Sequence, residues 1–76
     1  MIKIYTTPAC VYCKMAKEFF KDNSVEYEEM NVAQDAVLRD EMIQKSGQMG
    51  VPVIDVDGKI IIGFDQPRLK EALGIN

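Results

Sequence analysis

The chain reads as an α/β protein in the order β-α-β-α-β-β-α, with a four-stranded mixed sheet and three helices. Three observations predict this. Short apolar, β-branched runs alternate with segments whose apolar residues recur every three or four positions. Two β-rich runs, Val53–Val56 and Lys59–Ile62, flank Asp57-Gly58, which reads as a two-residue hairpin and makes the last two strands antiparallel. Both cysteines, Cys10 and Cys13, fall where the first apolar run gives way to the first helical pattern. A length of 76 residues suits one domain spanning 1–76.

Ile2 to Thr6 is short, apolar and β-branched, and reads as the first strand. Thr7 is a candidate N-cap. Pro8 suits the first helical position, where its missing N–H leaves nothing unpaired. The predicted helix runs from about Pro8 to Asp22. It places Cys13, Ala16, Phe19 and Phe20 on one face and Lys14, Lys17 and Lys21 on the other. Asp22-Asn23-Ser24 ends it. A second strand is expected near 26–31, and its acids suggest a sheet edge, where charge deters aggregation. A second helix follows from about Asp35 to Lys45. Val37, Leu38, Met42 and Ile43 form its apolar stripe, and Gly47 stops it. After the loop Gln48–Pro52 and the hairpin, Gly63-Phe64-Asp65-Gln66 reads as a turn. Asp65 or Gln66 caps a last helix with Pro67 at its start, Leu69, Ala72 and Leu73 facing inward and Gly74 at its end.

Composition narrows the function. Twelve acids against nine bases give a net charge of −3, so nothing in the charge balance favours nucleic-acid binding. The sequence has no long apolar segment and no signal-peptide pattern, which predicts a soluble cytoplasmic protein with no membrane partner. Histidine is absent, which removes His-based acid–base chemistry and Cys/His zinc sites. Two cysteines alone cannot fill a four-thiolate site. No metal and no bound cofactor are expected.

A Cys-x-x-Cys at a strand-to-helix junction is the sequence form of a dithiol redox pair. The sulfurs are one helical turn apart and can close a disulfide. That loop is too short to be an effective staple, with about 2 kcal/mol at most from chain entropy, so reactivity explains the pair better than stability does. Cys10 falls where unpaired backbone N–H groups favour an anion, which predicts a depressed thiol pKa there and a more buried partner at Cys13. The plain alternative is two small buried apolar residues.

The element order, with Cys10-Val11-Tyr12-Cys13 opening the first helix, resembles the thioredoxin superfamily. Val51-Pro52 before the third strand and Gly63-Phe64-Asp65 before the last helix extend the likeness over essentially the whole chain. Within that superfamily it resembles the small glutaredoxins and the glutaredoxin-like redoxins that serve ribonucleotide reductase. The resemblance implies a thioredoxin-like fold and a cis bond before Pro52. It further implies that Val51 offers its backbone N–H and C=O to an extended substrate segment. Tyr12, Gly63, Phe64 and Asp65 become candidate substrate or glutathione contacts. The chain departs from the family where Thr7 stands in place of a frequent lysine, leaving Lys14, Lys17 and the helix N-terminus as cationic help. Val51 stands in place of a frequent threonine, and Gly63-Phe64 in place of Gly-Gly. Tyr12 points to glutaredoxins, whereas Val11 and Gly63-Phe64 point to the redoxins.

The expected function is therefore thiol–disulfide oxidoreduction by a monomer. Cys10 and Cys13 would be catalytic, protein disulfides (ribonucleotide reductase among them) the substrates, and glutathione or thioredoxin reductase the reductant. Glutathione would act as a co-substrate. Two other readings stand beside it: an iron–sulfur-cluster or metal-binding module using Cys10 from two chains, and a non-catalytic peptide-binding domain using the Pro52 groove.

Overall fold

The computed structural model describes residues 1–75. Its elements are β1 (Ile2–Thr6), α1 (Val11–Asp22), β2 (Tyr27–Asn31), α2 (Ala36–Ser46), β3 (Val53–Val56), β4 (Lys59–Ile62) and α3 (Gln66–Leu73). The sheet order is β2-β1-β3-β4. β1 pairs in parallel with β2 and antiparallel with β3, and β3 pairs antiparallel with β4. The predicted mixed sheet and its acidic edge strand are both present.

Alternation along β1 sends side chains to two different layers. Ile4 joins Ala16, Phe19, Phe20, Ile54, Ile61 and Leu69 in a core beneath α1 and α3. Tyr5 joins Val32, Met42 and Val53 in a second core beneath α2. The apolar face of α1 is the one predicted, with Cys13, Ala16, Phe19 and Phe20 all buried.

Two local expectations are corrected. α1 does not start at Pro8 with Thr7 as cap. Pro8 and Ala9 form a turn, and the helix starts at Val11 with Cys10 as N-cap. The thiol sulfur takes the capping place expected of the threonine hydroxyl, accepting from the Cys13 N–H at 3.1 Å. Proline fits the turn equally well, because its ring presets the φ a turn needs. Val37 does not join the α2 stripe and is 74% exposed. It lies in the first turn, where the neighbouring Leu38 packs inward instead.

The remaining punctuation follows the sequence. Asp35 caps α2 by accepting from the Val37 and Leu38 N–H groups, and Gly47 ends it at φ 73°. Asp57 and Gly58 both take positive φ, 50° and 99°, as a tight hairpin requires. Asp65, rather than Gln66, caps α3.

α2 is fastened by a polar cluster as well as by packing. The Tyr5 hydroxyl donates to Glu41 at 2.7 Å and accepts from Lys45 at 2.9 Å, and Lys45 also donates to Asp55 at 2.9 Å. Those bonds hold the Lys45 ammonium pKa above its usual value, the Tyr5 bond most strongly. Burial pushes the Asp55 carboxyl up, but the bonds from Lys45 and the Gly58 N–H outweigh it and leave a net lowering.

Candidate active site

Sheet topology gathers the singled-out residues at one end of the molecule. In the antiparallel β1–β3 pair Tyr5 faces Val53, and in the β3–β4 pair Val53 faces Ile62. The C-terminal end of β1, the N-terminal end of β3 and the C-terminal end of β4 therefore coincide. Three connections emerge there: the Cys10 turn, the Val51-Pro52 loop and the Gly63-Phe64-Asp65 turn. The last two are joined directly, since the Gly63 N–H donates to the Pro52 carbonyl at 2.8 Å. The Val51–Pro52 peptide bond is cis.

Cys10 and Cys13 have Cα atoms 5.2 Å apart and sulfurs 2.50 Å apart, close to disulfide distance. Their exposures differ as expected for a surface and a buried thiol. Cys10 is half-buried, whereas Cys13 is 1% exposed. Cys10 sulfur lies at the start of α1, where N–H groups without helical partners concentrate partial positive charge. The intervening side chains point outward, with Val11 at 68% and Tyr12 at 62% exposure.

The other predicted residues fall into place differently. Val51 is half-buried and Pro52 is buried. Phe64 packs edge-on against Phe19, with ring centroids 5.9 Å apart, and is thus partly core. It also lines an open groove with Met15, Ile62, Asp65 and Pro67. Asp65 is engaged as the α3 cap and faces Arg68 Nε at 3.5 Å. Lys17, expected to assist the thiolate, is paired with Glu29 at 3.0 Å. Lys14 remains exposed along the outer face of α1.

Two groups of interacting residues were not foreseen from the sequence. Thr6, Lys17 and Glu29 form a polar cluster beside α1, in which Glu29 accepts from Thr6 at 2.8 Å and from Lys17. Hydrogen bonds from Lys17 and then Thr6 hold the Glu29 carboxyl below its usual pKa. The second group is Ser46, the last residue of α2, with Gln48 and Gly50 in the loop that leads to Val51. No short motif marks either group; the three residues of the first come from three different elements.

Comparison with known proteins agrees with this architecture. The Glutaredoxin family model matches residues 2–61. The uncharacterized glutaredoxin-like 8.6 kDa protein in the rubredoxin operon of Clostridium pasteurianum is 45% identical over 73 residues, covering 96% of this chain and 97% of its own. Glutaredoxin 3 of Escherichia coli K12 is 36% identical over 73 residues, covering 96% of this chain and 88% of its own. Among solved structures, the thioredoxin-like protein BC3987 superposes with a TM-score of 0.89 at 35% identity, covering 95% of this chain and 99% of its own. The fold is thioredoxin-like, and the class is that of thiol–disulfide oxidoreductases with a redox-active cysteine pair. Within that class, the chain belongs to the glutaredoxin family.

Proposed function

We propose that this chain, acting as one domain over residues 1–76, reduces protein disulfides through Cys10 and Cys13. The observation that carries the reading is the asymmetry of the pair: Cys10 sulfur caps α1 and is accessible, while Cys13 is buried one turn further on. Helix-terminal N–H groups stabilise a thiolate over a thiol. Cys10 thus ionises at lower pH than an ordinary cysteine.

The reaction has two exchanges. Cys10 thiolate attacks one sulfur of the target disulfide, and the other sulfur leaves as a thiolate that takes up a proton. Cys13, on losing its proton, attacks the Cys10 sulfur and expels the second target thiolate. The Cys10–Cys13 disulfide that remains holds the two electrons' worth of oxidation removed from the target. Val51 N–H and C=O pair with an extended target segment, and Pro52 shapes the contact. Tyr12, Phe64 and Asp65 supply the surrounding surface, with Gly63 tying the Phe64 turn to Pro52. The target class includes disulfides such as that of ribonucleotide reductase. The setting is a reducing cytoplasm, where such a pair cycles rather than staples, and the working unit is a monomer.

Electrons return to the pair from a thiol reductant, glutathione or thioredoxin reductase. Supplying the oxidised protein with NADPH and either thioredoxin reductase or glutathione plus glutathione reductase, with NADPH consumption as readout, distinguishes them: the true donor sustains turnover and the other does not. In either system Cys10→Ser abolishes turnover. Turnover retained by Cys10→Ser would overturn the mechanism.

A further inference from the structure

The loop between α2 and Pro52 is held by two side chains: the Ser46 hydroxyl bonds the Gln48 backbone, and the Gln48 amide bonds that of Gly50. Gln48 folds its amide across Gly50, two residues on. Its Oε1 accepts from the Gly50 N–H at 2.6 Å, and its Nε2 donates to the Gly50 carbonyl at 3.0 Å. The second Nε2 hydrogen reaches Ser46 Oγ at 3.3 Å, and Ser46 in turn donates to the Met42 carbonyl at 2.7 Å at the end of α2. The Gln48 amide thus meets both backbone polar groups of Gly50, as a residue of a neighbouring strand would. It ties them through Ser46 to a helix that is itself anchored in the core by Met42.

Gly50 is fitted to this clamp. A Cβ added there would stand 2.7 Å from Gln48 Oε1, with Gln48 Cδ at 3.8 Å as its only other near neighbour. Steric exclusion at Gly50 therefore comes from the clamp alone. The residue that follows is Val51. Among the described residues, neither its N–H nor its C=O makes a backbone hydrogen bond, so its strand-like groups are open. Met49, between the two clamped residues, is held outward at 70% exposure.

We infer that Gln48 is a positioning residue for protein disulfide substrates: by clamping Gly50 it fixes the backbone that presents Val51 to an extended target segment. This rests on the reading of Val51 given above. It predicts a division between substrates. A protein disulfide uses both the sulfurs and the Val51 backbone, whereas cystamine offers sulfurs with no peptide backbone to pair. Loss of the clamp raises the KM for the first and leaves the second untouched.

The test uses the full chain with insulin and cystamine as disulfides, in Gln48→Ala, Gly50→Ala and the double variant. Gln48→Ala removes the clamp, and Gly50→Ala displaces it by the contact described. Each is expected to raise the insulin KM about tenfold with kcat retained, which corresponds to ~1.4 kcal/mol, and to leave cystamine rates unchanged. The double variant is expected to be no worse than either single one, because with Ala at 48 the added Cβ meets nothing. An unchanged insulin KM, a parallel loss with both disulfides, or additive effects in the double variant would each overturn the inference. A wild-type protein that reduces cystamine but not insulin would instead remove the Val51 reading beneath it.

Discussion

Glu29 stands on the edge strand facing α1, where it accepts from both Lys17 and Thr6. These bonds favour its charged form, so its folded pKa lies below the ordinary 4.5. A carboxylate of this kind stabilises the fold fully above its unfolded pKa, and the contribution disappears as pH falls through the folded value. Glu29→Gln keeps an acceptor for Thr6 but cannot ionise. Melting temperatures at about pH 7 and about pH 3 should therefore differ less in Glu29→Gln than in the wild type. An equal drop would show that the Lys17 pair carries no pH-linked stability. The cluster is also a case of what sequence left unread. Spacing of three and four put Lys17 on the outer face of α1 with Lys14 and Lys21, but which of the three reaches an acid on β2 depends on how the helix lies on the sheet. Cys10 shows the same limit. The thiol as cap was hidden because threonine and proline together make the stronger helix-start signal; the turn at Pro8 and Ala9 uses the same residues for another purpose.

Among elements, α1 and α2 are held in different ways. α1 buries Cys13, Ala16, Phe19 and Phe20, whereas Met42 is the buried residue of α2. Leu38 and Ile43 are only partly covered, and much of the remaining attachment is the Tyr5–Glu41–Lys45–Asp55 cluster. Polar contacts open to solvent contribute less than apolar burial, so α2 should unfold locally before α1. Native-state hydrogen exchange is expected to show backbone amides of Ala36–Ser46 exchanging at least about tenfold faster than those of Cys13–Phe20, and equal protection would contradict this. The elements themselves were legible, because Asp35, Gly47, Asp57-Gly58 and Asp65 each mark a boundary by local chemistry. The tilt of α2 was not. Val37 fits an apolar stripe by spacing, yet the helix packs through Leu38, Met42 and Ile43 and leaves Val37 in solvent.

For the whole molecule, the sheet order converts a linear sequence into one end where three separated loops meet. The cysteine pair lies tens of residues before Pro52, and the turn at Gly63 lies beyond the intervening hairpin; the antiparallel registers at Val53 bring all three together. Sequence supplied the pair and its placement before a helix, and the resemblance supplied Pro52; the bond from Gly63 to Pro52 and the clamp at Gln48 became visible only in three dimensions. The chain's place in the glutaredoxin family makes thiol–disulfide exchange its chemistry. The division of labour within the pair is the central proposal. Its most direct test is mass spectrometry of the Cys13→Ser protein after reaction with an oxidised protein target. With no resolving thiol, a mixed disulfide should accumulate, and peptide mapping should place it on Cys10. A Cys13→Ser protein that forms no adduct, while the wild type reduces the same target, would contradict the assignment.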